Sequence, residues 1–278
     1  MKLIHVKGDG ILRAEIIFLG CGGGRWATIT QKKATGGFRI HTDELRLHVD
    51  PGPGAIVRLN ELKISPWRTN ALFISHCHPD HYTDGEVIVE AITQGMTKKR
   101  GIFLGSLSVV EGFGDYEHVI SKYHQSKLEE VKILYPKDEV ELYDTKIRAT
   151  HTKHGDPFGI GFRLYTRYGD IGYTSDTEFI PELIEDFDGV RILIANIVRK
   201  KNERIKGHLC SNDAIDLINS MNKKPELLIM THMGIKMTNP QLEAEYISQN
   251  TGVDVIPARL GLKIELLNGK YRYQLLKQ

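Results

Sequence analysis

The stretch that most constrains this chain is Ser75-His76-Cys77-His78-Pro79-Asp80-His81, which follows the apolar run Ala71-Leu72-Phe73-Ile74. That run is short and bounded, as a buried strand is. Three imidazoles and a carboxylate at its end are hard to explain as packing, because such groups are costly to bury without partners. Histidine and aspartate are metal ligands, and their directions follow from the spacing. His76 and His78 are two positions apart, so at the end of an extended segment they point to the same side. One cation about 2 Å from each ring nitrogen can take both. Pro79 cannot continue a strand ladder. Asp80 and His81 are therefore turned relative to the first pair and can serve a neighbouring cation. The plainer alternative is a histidine-rich surface turn. A lone histidine would favour it, but H-x-H-x-D-H after a buried strand does not.

At these residues the sequence resembles the metallo-β-lactamase fold superfamily, whose signature is this motif. The resemblance implies an α/β fold, the metallo-β-lactamase αβ/βα four-layer sandwich, in which two mixed β-sheets are flanked by helices. It also implies a single domain over residues 1–278 and a binuclear metal hydrolase. Composition narrows the partners. The 278 residues carry a formal net charge of +2, so there is no global basic footprint for nucleic acid, although a local patch is compatible with it. Cys21, Cys77 and Cys210 are scattered and form neither a metal-binding C-x-x-C nor a disulfide framework, which suits a reducing interior. Met1-Lys2-Leu3-Ile4-His5 has no long apolar core of a signal peptide, and no run approaches membrane-spanning length. The expected location is cytoplasmic, with no membrane partner. A homodimer is compatible with the sequence.

Residues 14–19 read as a strand, followed by Gly20-Cys21-Gly22-Gly23-Gly24. No phosphate-loop spacing accompanies these glycines, so they predict a tight strand-to-strand turn. In the resembling family such a turn lies near the metal site and shapes the pocket. Residues 38–40 and 45–49 predict a hairpin around Thr42-Asp43-Glu44, ending in Asp50-Pro51-Gly52. That end resembles the family's D-x-G turn, which puts Asp50 beneath the metals as an acceptor that orients ligating histidines. A local cap in a Pro/Gly turn is the alternative. Residues 85–96 have helical spacing, with Lys98-Lys99-Arg100 closing the helix. Residues 112–130 lack clean periodicity and read as a lid or pocket wall, and neither His118 nor His124 is given a metal role. Short strands are expected at 102–104, 131–134, 140–142, 147–149, 159–164, 171–176, 192–195, 253–256, 262–266 and 272–276. Helices are expected at 211–222, capped by Ser211, and at 240–249.

The remaining site residues come from the resemblance. The family has a histidine ligand at a strand end followed by a glycine-bearing strand, and two residues compete for that place. His154 stands in the better context and His151 is the alternative. Asp176, in Ser175-Asp176-Thr177, matches the single aspartate that bridges both metals. Leu227-Leu228-Ile229-Met230-Thr231-His232 echoes Leu72-Phe73-Ile74-Ser75-His76, an apolar strand ending in a hydroxyl residue and a histidine. The implied set is His76, His78 and His154 on one metal, Asp80, His81 and His232 on the other, and Asp176 between them. The cofactors are two divalent metal ions, with zinc suited to the all-nitrogen-and-oxygen ligands and manganese or iron not excluded. Such a pair lowers the pKa of a bridging water toward 7 and makes hydroxide available. Asp80 and His208 are the candidate catalytic groups. In tRNase Z-like enzymes and the cyclic phosphodiesterase of phosphonate breakdown, a histidine placed like His208 donates a proton to the leaving oxygen. A helix-capping or buried structural role is the alternative for His208. Leu260 stands where the family often has the aspartate of A-x-D-G, so that turn carries no role here.

The implied reaction is hydrolysis of a small or cyclic phosphodiester. The short interval from His154 to Asp176 leaves no room for a tRNA-gripping arm. Alternatives are a tRNase Z-like endoribonuclease or other nuclease that grips through Arg199–Lys206, a carboxyl-ester, thioester or lactone hydrolase, and a non-enzymatic module that kept the ligands.

Overall fold

The computed structural model describes residues 13–277; the N-terminal stretch read for a signal peptide lies outside them. Two large mixed sheets face each other. The first runs, in spatial order, through the strands Lys270–Leu275, Leu262–Leu267, Ala14–Gly20, Thr35–His41, Arg46–Val49, Ala71–Ile74, Ile102–Gly105 and Glu130–Ile133. The second runs through Asp254–Pro257, Leu227–Thr231, Ile192–Arg199, Ile171–Tyr173, Gly161–Tyr165, Thr145–Thr150 and Glu139–Leu142. Leu209–Cys210 adds a short strand beside Ile192–Arg199.

Three apolar layers hold the sandwich together. Between the sheets, Phe18, Phe38, Phe73, Phe162 and Tyr173 meet with Ile194, Ile229 and Ile264. Behind the second sheet, Leu193, Ala195 and Met230 pack on the helices Glu182–Phe187, Ser211–Ser220 and Pro240–Thr251. Behind the first, Leu72 and Ile74 pack on Ala55–Glu61 and Gly85–Ile92. Central strands such as Ala71–Ile74 and Leu227–Thr231 are buried on both faces, which explains why they read as unbroken apolar runs instead of alternating ones. This is the four-layer arrangement that the signature implied.

Three local expectations need correction. The helix from Gly85 ends at Ile92, and Lys98–Arg100 lie beyond it, after a turn that contains Gly95. The cap of the helix at 211 is Cys210, not Ser211; Asp213 reaches back to the Cys210 N–H at 2.9 Å and completes a capping box. The glycine stretch 20–24 joins a strand to the short helix Arg25–Thr30, and Gly24 is its N-cap at φ 80°. Residues 112–130 contain a small hairpin, Gly112–Phe113 with Tyr116–Glu117, and the helix Lys122–Gln125. Phe113 from that hairpin sits edge-on to Phe158, with ring centroids 4.8 Å apart.

Candidate metal centre

The site forms where strands from both sheets end. Ser75–His81 leave the C-terminal end of Ala71–Ile74, Asp50 that of Arg46–Val49, and His154 follows Thr145–Thr150. Asp176 follows Ile171–Tyr173, and His232 follows Leu227–Thr231. Three of the bends are in the left-handed region: Asp50 at φ 48°, Ser175 at 55° and His232 at 53°. Such conformations are uncommon for residues other than glycine and persist where surrounding structure enforces them. Here they turn side chains off the strand ends into one crevice.

His76 Nε2 lies 3.0 Å from His78 Nδ1, and His154 Nε2 lies 2.9 Å from the same atom. Across the crevice His81 Nε2 is 3.1 Å from His232 Nε2, which is itself 3.1 Å from Asp80 Oδ2. Asp176 stands between the two groups. Its Oδ2 is 3.9 Å from His76, 3.6 Å from His81, 3.7 Å from His154 and 3.6 Å from His208, and its Oδ1 is 3.3 Å from His232 Nδ1. All seven candidate ligands and His208 therefore share one cluster. His151 is elsewhere: its Nδ1 donates to Asp186 Oδ2 at 2.9 Å.

A second layer of contacts orients these groups. Asp50 Oδ2 accepts from His81 Nδ1 at 2.8 Å, from Ser75 Oγ at 2.8 Å and from the Tyr173 hydroxyl at 2.7 Å, and its Oδ1 accepts from the Ser75 N–H at 2.7 Å. The His154 Nδ1–H donates to the Gly207 carbonyl at 2.7 Å. Asn196 Nδ2 donates to Asp176 Oδ1 at 2.7 Å. The glycine turn closes over the other side. The Gly24 N–H donates to Asp80 Oδ2 at 2.8 Å, and a Cβ on Gly23 would stand 2.1 Å from the His232 ring. The glycines thus let the backbone lie against a histidine. Sequence reasoning missed Asn196, Tyr173 and Gly207. Asn196 and Tyr173 sit inside apolar strands, and the only signal was a polar atom within each.

Burial opposes charge on His81, but the carboxylates of Asp50, Asp80 and Asp176 outweigh it and hold the ring well above the usual imidazole range. Burial likewise pushes Asp176 up, and the facing rings of His232, His81 and His208 overcome it, leaving the group well below the carboxylate range. His76 is held well below its ordinary value, by burial first and then by His81. Burial pushes His208 down to about 4, against the pull of the Asp176 carboxylate.

The residues fit a divalent cation. Nε2 of His76 and Nε2 of His154 each lie about 3 Å from Nδ1 of His78, and all three lie within 4.8 Å of one another, close enough to share a cation about 2 Å from each. Hydrogen bonds alone do not satisfy the cluster, since Nδ1 of His208 and Nδ1 of His232 are buried without a partner. Three further His-carboxylate groupings, His76 with His81 and Asp176, Asp80 with His81 and His232, and His154 with Asp176 and His208, have their donor atoms within 4.8 Å of one another. No thiolate enters.

Fold and cluster together define a metal-dependent hydrolase. The chain belongs to the beta-lactamase superfamily: the family model described as Beta-lactamase superfamily domain matches residues 45–233. Over 266 residues it is 90% identical to Uncharacterized protein MJ1374 of Methanocaldococcus jannaschii, spanning 96% of this chain and 100% of that one. It is 26% identical over 241 residues to Ribonuclease Z of Pyrobaculum aerophilum, spanning 73% of this chain and 82% of the relative. Among solved structures, the metallo-beta-lactamase fold protein YhfI from Bacillus subtilis superposes with a TM-score of 0.76 at 19% identity, covering 91% of this chain and 99% of that one.

Proposed function

We propose that the protein is a binuclear metal-dependent phosphodiesterase acting on a small phosphodiester. The observation that carries this reading is the position of Asp176 Oδ2, within 3.9 Å of rings from both histidine groups. A carboxylate placed there would offer negative charge to both cations. In this reading His76, His78 and His154 hold one divalent cation, Asp80, His81 and His232 hold the other, and Asp176 serves both. Zinc matches the nitrogen and oxygen donors, and manganese or iron are the alternatives. When bound, the cations supply an acidified water and positive charge against the substrate oxygens.

The chain's own residues do the rest. Asp50 holds the His81 ring in one orientation, and Asn196 holds the Asp176 carboxylate. Asp80 turns Oδ2 to the Gly24 N–H and His232, which leaves Oδ1 to accept a proton from the attacking water. His208 places Nδ1 against Asp176 and offers the rest of its ring to the leaving oxygen. The Asp176 carboxylate favours the protonated ring, from which a developing alkoxide can take a proton.

The phosphodiester is favoured by the sequence kinship with a protein named Ribonuclease Z. A tRNA-sized substrate is disfavoured, because the strands Gly161–Tyr165 and Ile171–Tyr173 are joined directly by residues 166–170 with no inserted arm. The test is zinc-loaded protein assayed on bis(4-nitrophenyl) phosphate and on a simple lactone. Phosphodiester turnover that disappears in Asp176→Ala and in His78→Ala supports the reading. Lactone turnover alone would replace it with a carboxyl-ester hydrolase.

A further inference from the structure

A cleft of about 320 Å³ opens beside the metal centre, lined by Glu178, Phe179, Arg204, Ile205, Lys206, His208 and Asp213. It shares His208 with the cluster. That ring stands 3.6 Å from Asp176 through Nδ1 and edge-on to His154, with centroids 4.7 Å apart, while also forming part of the cleft wall. A group whose leaving oxygen is protonated at His208 therefore extends into this cleft.

The lining says what that group is. Glu178 is spent: one oxygen pairs with Lys153 at 2.7 Å and the other accepts the Gly207 N–H at 3.1 Å. Arg204 is held by Asp213 at 2.7 Å, with Asp216 at 3.5 Å, and is neutralised there. Lys206 acts on Glu178 only through space and makes no ion pair among the described residues. The apolar walls are Phe179 and Ile205, and Phe179 is fixed from behind by the helix-layer core. An aromatic face beside an unspent ammonium is the chemistry that takes a nucleobase and a phosphate together.

We infer that this cleft binds the leaving nucleotide, and that the leaving nucleotide carries a phosphate of its own, met by Lys206. The substrate is then a dinucleotide or short oligonucleotide and not a cyclic mononucleotide. This rests on the phosphodiesterase reading. In the step concerned, a water oxygen forms the new P–O bond and the P–O bond to the leaving nucleotide breaks. Its electron pair stays on that nucleotide's oxygen, which takes a proton from His208.

The experiment is calorimetric binding of thymidine 3′,5′-bisphosphate, thymidine 3′-monophosphate and thymidine 5′-monophosphate to the full-length, zinc-loaded protein. The monophosphates account for a phosphate seated at the metals, so the bisphosphate increment reports the second phosphate. Wild type is expected to bind the bisphosphate at least ~10-fold more tightly than either monophosphate. Lys206→Ala should collapse that ratio toward one, Lys206→Arg should keep it, and Phe179→Ala should weaken all three ligands. A wild-type ratio near one, or a ratio untouched by Lys206→Ala, overturns the inference. Hydrolysis of bis(4-nitrophenyl) phosphate, followed in parallel, tests the underlying reading separately: failure there with the binding ratio intact removes the chemistry and leaves the cleft.

Discussion

Asp50 gathers more of the contacts that orient the cluster than any other residue named above. It gathers four donors, from His81, from both the N–H and the hydroxyl of Ser75, and from Tyr173, while bent at φ 48°. Asp50→Asn keeps a side chain that tolerates the left-handed bend and loses the charge opposite His81. It should fold normally and bind zinc about 10–100-fold more weakly. Asp50→Ala also strands buried donors and should unfold about 2–4 kcal/mol more easily. Zinc titration with urea unfolding of both variants checks this, and an alanine variant as stable and as metal-tight as wild type would refute it. Asp50 was visible in the sequence as the end of a Pro/Gly turn, but its partners were not, because Tyr173 is 123 positions away and comes from the other sheet. Asn196 was hidden for the same reason. Its one polar group lies within an apolar strand, and nothing local shows that it faces Asp176.

At the scale of elements, strand ends were the legible part. Ala71–Ile74 and Leu227–Thr231 announce themselves as apolar runs, and each delivers histidine into the crevice. The loop after Thr145–Thr150 offered two histidines, and sequence context favoured His154 without deciding it. The structure puts His154 in the cluster and turns His151 toward Asp186. Helix ends were read less well, because a cap is decided by one backbone angle: Cys210 is extended at φ −111° and takes the cap from Ser211. The glycine turn was read as a connector whose residues shape the pocket, and the second part of that reading has a physical basis at Gly23. A methyl group there collides with the His232 ring, so Gly23→Ala must move either the turn or the histidine. The variant should keep its unfolding midpoint within a few degrees while zinc affinity falls. Wild-type zinc affinity in folded Gly23→Ala would show that the contact does not hold His232.

For the whole molecule, the outer face of the first sheet sets the acid limit. His48 is fully buried on Arg46–Val49, and burial, then the Arg39 charge, pushes it down to about 3 from an ordinary 6.5. His41 is pushed down to about 4, chiefly by burial. A depressed group binds protons more readily in the unfolded chain, so its contribution is complete above pH 6.5 and is lost as pH falls toward the folded value. His48 alone should remove about 2 kcal/mol between pH 7 and pH 5. Urea unfolding at both values should show that loss in wild type and a smaller one in His48→Gln; identical pH dependence in the two would contradict it. The four-layer plan was readable only through the family resemblance carried by the motif at 76–81, since the ligand spacing from residue 76 to 232 does not by itself require two sheets. The most direct test of the shared cluster is the metal content of purified protein by mass spectrometry of the eluted ions. The account predicts about two equivalents of divalent metal per wild-type chain and a clear loss in Asp176→Ala, since in the proposed arrangement that carboxylate would serve both cations. One equivalent or fewer in wild type, or an unchanged content in Asp176→Ala, would contradict it.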